Sequence, residues 1–535
     1  MSTETETKKA AAEPGFSGAE IEGPGRLQTS SEVTAIARGA GVVMLGTIAG
    51  SGLKYLFEFV VARKLGPELF GVFFLALTLF SILERICPLE LTSGMLRFVS
   101  LYKGEGNPER VKGTVLAGLR LALVAAAAAA ALLFALSDIL AGAVFHAEAL
   151  SPVLKLMSVG VVFAAATEIL VYSLQALGKV EYRVSVRQLF EPALGLVLAL
   201  VLLRSGWGLA GAALAFVGPL ILGAFLALRF ARGVFPALAQ KGVRAVSDTG
   251  QLLRFSFPLF LAGLISVFLL QVNPLMLGYF RPPAEVGVFA AALRTSFVLP
   301  LVLDAFNAMF APMIADLTNR RALDKLEDLF KVVTKWILTV SVPAFLVLAF
   351  YGGGILSLWG KSYRQGLVCL IVICAGQFVN CATGPVGYMI SMSGRTRISL
   401  ANAGGVLALN IVLNVMLIPR YGILGSAVAL SASMAVVNLV RLAEVRWLLK
   451  MHPYRWDSLK PLAAGVLALS VAAAAGSILP LPENGVWPTL LGVLVFSAAY
   501  AALLAAMGIG REEKLVFARV RQKFFRQAAQ GPDGS

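Results

Sequence analysis

Seven charged side chains stand inside long apolar stretches of this chain: Lys54, Glu58, Glu84, Arg85, Glu168, Arg294 and Asp304. A carboxylate in partly desolvated surroundings can hold a proton or a cation, and an ammonium or guanidinium there can hold an anion. Lys54 and Glu58 are four residues apart and share a helix face, so a structural ion pair stands beside the ligand-binding reading. Glu84 and Arg85 are adjacent and diverge by about 100° around a helix, so both cannot face one cavity centre. Asp304 lies ten residues beyond Arg294, with Asn307 nearby; it is read either as a proton carrier or as a bundle anchor paired to an arginine. Arg97 and Arg120 fall nearer the ends of their stretches.

Polar amides form a second class in the same surroundings: Gln271, Asn273, Gln377, Asn380, Asn402, Asn410 and Asn414. They are suited to ligand hydroxyls, and equally to hydrogen bonds between helices. Clustered histidines and carboxylates of the kind that hydrolysis or metal binding needs are missing, since the only histidines are His146 and His452. Cys87, Cys369, Cys374 and Cys381 lie in apolar segments without a C-x-x-C pair and read as small hydrophobes. No enzyme, metal or cofactor is expected, and no phosphate-loop motif suggests an ATPase.

The elements that position these groups are membrane helices. Of 535 residues, 58% are hydrophobic and 14% charged, with a mean hydropathy of +0.81. Soluble domains carry about 25% charged residues. Lipid must therefore be the solvent for most of the chain. About fourteen stretches are long enough to cross a bilayer, for which about 20 apolar residues suffice. They begin near Ala40, Phe70, Gly113, Pro152, Val186, Gly208, Phe255, Gly287, Val332, Gly366, Ile398, Ile423, Pro461 and Trp487. The fold class is all-α and polytopic.

Several stretches contain proline (Pro88, Pro258, Pro274, Pro300, Pro385), which frees a carbonyl that a neighbouring helix or a wet cavity must satisfy. The net charge of +16 sits in the short connections, so it reports topology and contact with anionic lipid, not nucleic acid. Its bias towards alternate loops places both termini in the cytoplasm, with no cleavable signal peptide. No connection is long enough for a soluble catalytic domain.

The chain repeats itself. Pro67-Glu-Leu-Phe-Gly71-Val-Phe73 recurs as Pro283-Ala-Glu-Val-Gly287-Val-Phe289, an offset of 216 residues; Gly178 and Gly394 share that offset, and Gly211 and Gly425 differ by 214. Six helices separate the copies, so both halves have the same orientation, and parallel repeats of this kind hold their substrate between them. The expected organisation is a disordered cytoplasmic tail (1–34), a first six-helix lobe (35–235), a cytoplasmic linker (236–250) and a second lobe (251–450). Two added helices (459–508) and a basic cytoplasmic tail (509–535) follow. Val516, Val520 and Phe524 give that tail the face of an interfacial helix.

These residues also resemble a family. Ala62-Arg-Lys-Leu-Gly-Pro-Glu-Leu-Phe-Gly-Val-Phe73 with Gly94-Met-Leu-Arg-Phe-Val-Ser-Leu-Tyr102 is similar to the first helix pair of oligosaccharide flippases. These are the Wzx-like polysaccharide exporters of the multidrug/oligosaccharidyl-lipid/polysaccharide (MOP) superfamily. Phe255-Ser-Phe-Pro-Leu-Phe260, Met276-Leu-Gly-Tyr-Phe280, Thr383-Gly-Pro-Val-Gly387, Ser393-Gly-Arg395 and Asn414-Val-Met-Leu-Ile-Pro-Arg-Tyr-Gly422 resemble its later spans.

The resemblance implies a flippase that carries a polyprenyl-pyrophosphate-linked oligosaccharide across the cytoplasmic (inner) membrane by alternating access, for surface polysaccharides such as O-antigen or exopolysaccharide. It also implies coupling to a cation gradient, with membrane lipids and polymerase or glycosyltransferase machinery as partners. Under it, Lys54, Arg85 and Arg294 contact the pyrophosphate and Glu58 and Asp304 carry the coupling ion. Gln271, Asn273, Gln377 and Asn380 face the sugars. Lipid II flippases of the superfamily use arginines on spans 1, 2 and 8, which Lys54, Arg85 and Arg294 match by helix number only. The alternatives are a cation-coupled multidrug exporter of the same superfamily and an integral membrane enzyme of glycan assembly.

Overall fold

A computed structural model describes residues 30–478 and 486–508. The tail readings for residues 1–29 and 509–535, including the Val516–Phe524 face, lie outside the described residues. Within them the chain is helical, with no strand. Helix α1 (Ser30–Ile86) is two limbs joined at Gly66, whose φ of 76° and ψ of 174° break the helix. It is followed by α2 (Pro108–Ile139), α3 (Leu150–Ala176), α4 (Glu191–Arg204) and α5 (Gly208–Val234). The second half runs through α6 (Thr249–Phe280), α7 (Pro283–Ser296), α8 (Val298–Asn319), α9 (Leu323–Trp359) and α10 (Leu367–Ala382). Helix α11 (Thr396–Leu448) is again two limbs, broken at Gly422, and α12 (Lys460–Ile478) and α13 (Val486–Ala506) are the last helices of the described residues.

Twelve helical segments among the described residues are long and apolar enough to cross a membrane. Two of these, Met44–Gly104 and Thr396–Leu448, each contain a limb on either side of a glycine that breaks the helix, so each is long enough for an outgoing and a returning crossing. Local sequence sets the starts. Asn107 caps α2 by accepting from the Arg110 amide at 3.1 Å, with Pro108 in the first turn, and Asp248 caps α6 through the Gln251 amide at 2.9 Å.

The repeat is visible in backbone geometry. Gly178 and Gly394 close equivalent helices with φ of 85° and 83°. The amide of Gly178 donates to Gln175 and that of Lys179 to Leu174; those of Gly394 and Arg395 donate to Ser391 and Ile390 in the same pattern. A left-handed residue at this position terminates a helix, and glycine adopts it without a Cβ penalty.

The two halves are joined at the end that carries Gly66. There Trp359 and Tyr363, from the second half, are fully buried against Tyr55, Phe59 and Phe70 of α1. Tyr363 Oη donates to the Ala62 carbonyl at 2.9 Å, and Arg63 Nη1 to the Leu358 carbonyl at 3.1 Å. At the other end Gly94 packs on Leu252 and Ser256 of α6, and Arg97 lies 4.7 Å from the Phe255 ring centroid. Helices α12 and α13 rest on α9, with Tyr500 donating to the Thr339 carbonyl at 2.9 Å.

Candidate functional site

Between the two ends lies a cavity of about 230 Å³. Both limbs of α1, helices α4 to α7, and the π-helical turn Val184–Phe190 that leads into α4 contribute to its wall. Phe57, Phe74, Phe80 and Phe216 give it an apolar lining; Lys54, Glu58, Glu84, Arg187, Glu191, Gln271 and Arg294 supply the polar groups. Six charges in a largely apolar chamber are costly unless paired or wet, which marks the place as functional by default.

The charges stand in two tiers. Counting along the helices from Gly66 at 1.5 Å per residue, Glu58 and Lys54 lie about 12 and 18 Å deep, and Glu84 about 27 Å deep. In the first tier Arg294 of α7 reaches across the interface between the halves, and its Nε donates to Glu58 Oε2 at 2.6 Å. The guanidinium also sits 5.4 Å from the Phe74 ring centroid. In the second tier Arg187 meets three carboxylates: Nη2 is 2.6 Å from Glu84, Nε 3.0 Å from Glu168, and Nη1 2.9 Å from Glu191. Among the described residues Lys54 makes no ion pair, although it lies within electrostatic reach of Glu84 and Glu191.

The structure brings together only some of the residues read from the sequence. Lys54, Glu58, Gln271 and Arg294 line one chamber, but Glu58 takes Arg294 as its partner and not Lys54. Gln271 Nε2 donates to Ser81 Oγ at 2.7 Å across the halves. Arg85 is exposed and outside the chamber wall, on a different side of its helix from Glu84. Asp304 is exposed on α8, away from the chamber and without an ion pair among the described residues.

Asn273 is 2% exposed and turned away from the chamber: it accepts from Asn414 Nδ2 at 3.0 Å and Asn410 Nδ2 at 3.4 Å, so it ties α6 to α11. Gln377 is buried with its Oε1 unpartnered, and Asn380 is half-buried; neither lines the chamber. Arg187 and Glu191 escaped the sequence reading. Their i,i+4 spacing was the available signal, but Arg187 stands at the mouth of its apolar stretch, where a basic residue reads as topology. The four cysteines are buried and unbridged, and the described residues hold no cluster suited to a metal ion.

The family model for polysaccharide biosynthesis proteins matches residues 36–318, more than half of the chain. The chain belongs to the polysaccharide biosynthesis protein family. Two curated relatives come from Haloferax volcanii. The "Probable flippase AglR" is 27% identical over 179 residues, covering 32% of this chain and 36% of that protein. The "Probable low-salt glycan biosynthesis flippase Agl15" is 21% identical over 162 residues, covering 30% and 34%. The chain thus matches about a third of the length of either relative.

Among solved structures, the lipid II flippase MurJ in an inward closed conformation superposes with a TM-score of 0.68 at 16% identity, over 88% of this chain and 98% of that one. A multidrug resistance MATE family transporter of the MOP superfamily, inward-facing, gives 0.65 at 15% identity, over 78% and 98%. This polysaccharide biosynthesis protein therefore shares the fold of these MurJ and MATE structures, as the family resemblance implies.

Proposed function

We propose that the protein is a flippase for a polyprenyl-pyrophosphate-linked oligosaccharide, working by alternating access in the cytoplasmic membrane with both termini in the cytoplasm. The two halves, residues 35–235 and 251–450, rock about the chamber. The observation that carries this reading is the placement of Lys54 and Arg294 in one chamber at the interface of the halves, one cation without an ion-pair partner among the described residues and the other held by a single carboxylate. A guanidinium offers phosphate oxygens two parallel hydrogen bonds, and a nearby ammonium adds a point charge. Family membership and the relatives' printed flippase descriptions support the same substrate class.

Gln271, on the chamber wall, is the amide placed to meet a sugar. Cation coupling is part of the proposal, with Glu58 as the chamber carboxylate that exchanges its arginine partner for a proton or metal ion. A multidrug exporter of the same fold is the second reading, supported by the apolar aromatic lining.

The deciding experiment is complementation of a flippase-deficient strain. Lys54→Ala and Arg294→Ala each abolish surface glycan while membrane levels stay normal; full activity of the double variant removes the proposal. Transport that continues unchanged in vesicles with proton and sodium gradients collapsed removes the coupling.

A further inference from the structure

The second tier of the chamber has more acid than base. There Arg187, with Lys54 in electrostatic reach, meets three carboxylates, Glu84, Glu168 and Glu191. Glu191 is 7% exposed, and its Oε1 is buried with no hydrogen-bond partner. That oxygen points into the space left by Gly223 of α5, where a Cβ would collide with it. A buried carboxylate oxygen without a donor is the atom at which a proton is least costly to add.

Every element packed around Glu191 bears on this. The first limb of α1 contributes Lys54 and Glu58, and the second Glu84 and, on its far side, Arg85. Helix α3 contributes Glu168 and Tyr172, the π-helical turn Arg187, and α7 Arg294. The chamber wall formed by α5 is Ala215, Phe216, Pro219 and Leu220, with no titratable group.

Now consider an anionic headgroup entering. Both guanidiniums are already occupied by carboxylates, which stand where phosphate oxygens would bind. A diphosphate diester brings two further negative charges beside a tier that already has one carboxylate in excess. Like charges in a desolvated site cannot all stay ionised. Protonation relieves the conflict: a neutral carboxyl releases its share of Arg187, and the guanidinium turns to the phosphate.

We propose that Glu84, Glu168 and Glu191 form a proton site linked to diphosphate binding, with Arg187 passing from carboxylate to phosphate as a proton from solvent is taken up. The inference rests on the diphosphate reading above and adds Arg187 to the binding residues. Each proton taken up makes affinity rise by up to about tenfold per unit fall in pH.

The test is calorimetric titration of the purified full-length protein in detergent with geranylgeranyl diphosphate, run in two buffers of different ionisation enthalpy. Wild type takes up about one proton on binding, and its Kd tightens as pH falls. The isosteric Glu191→Gln and Glu84→Gln variants, checked for folding by thermal unfolding, bind at least as tightly and take up less. Binding with no proton uptake by wild type, or with unchanged uptake in both variants, overturns this proposal and leaves the diphosphate reading standing. No binding of the prenyl diphosphate overturns both. A parallel titration with inorganic pyrophosphate separates the sources: proton uptake with the prenyl compound alone assigns the site to a lipid headgroup, and equal behaviour of both assigns it to free diphosphate and removes the lipid-headgroup assignment.

Discussion

Gly71 and Gly287 lie back to back where the two halves of the chain meet. A Cβ built on Gly71 collides with the Pro283 carbonyl, and one built on Gly287 collides with the Pro67 carbonyl. The contact is reciprocal because the residues are repeat equivalents, so the relation between the halves passes through this backbone crossing.

The first prediction follows from what those Cβ atoms would meet. Backbone cannot step aside as a flexible side chain can, so overpacking here costs about 1–3 kcal/mol. Gly71→Ala and Gly287→Ala should each lower the thermal unfolding temperature of the protein in detergent. The double variant should lose less than the sum, since both substitutions press on one contact. Additive losses would show that the two glycines do not share an interface.

A second prediction concerns Arg187. Truncating it to Ala leaves three carboxylates without their common counter-ion, and breaking a buried pair costs about 3–5 kcal/mol. The Arg187→Ala variant should fold poorly, judged by yield of monodisperse protein. Adding Glu84→Gln and Glu191→Gln to it should restore much of that yield by removing the stranded charge. Failure of the added substitutions to rescue would mean that the arginine acts through packing and not charge.

What was readable in the chain and what was not divide along sequence distance. Periodic features reported themselves: the repeat offset pairs Gly178 with Gly394, which the structure shows to be matching left-handed helix ends, and hydropathy predicted the helices. Partner choice did not. Lys54 and Glu58 advertise a local pair, but Glu58 bonds Arg294, 236 residues away, because the interface between halves brings α7 against α1. Helix spacing likewise could not say which side of α6 faces α11. Gln271 and Asn273 are two residues apart, one on the chamber wall and the other clamped by Asn410 and Asn414.

That difference yields a third prediction. Asn273→Ala removes the acceptor of two buried amide donors, at about 0.5–1.5 kcal/mol for each hydrogen bond lost. It should lower unfolding temperature clearly, and any loss of transport should recover when the protein is assayed at lower temperature. Gln271→Ala breaks one bond to Ser81 at the chamber wall, so it should leave stability near wild type and reduce transport at every temperature. The two variants behaving alike would erase the distinction between clamp and wall.

The last prediction takes alternating access at face value. If the end carrying Gly66 opens during the cycle, four contacts must separate together: Gly71 from Gly287, Arg294 from Glu58, Arg63 from the Leu358 carbonyl, and Tyr363 from the Ala62 carbonyl. Tyr363 is the one that can be weakened most cleanly. Its ring is buried among Phe70 and Trp359, so Tyr363→Phe keeps the packing and removes only the hydroxyl bond. Loss of a bond worth about 1 kcal/mol shifts a two-state equilibrium roughly fivefold towards the open form. Spin labels on the exposed residues Glu68 and Lys361, on opposite halves, should then show a longer-distance population in the variant that wild type holds only as a minor component. An unchanged distance distribution would mean that the aromatic weld stays shut throughout the cycle, and that any movement of the halves occurs at the Gly94–Leu252 end alone.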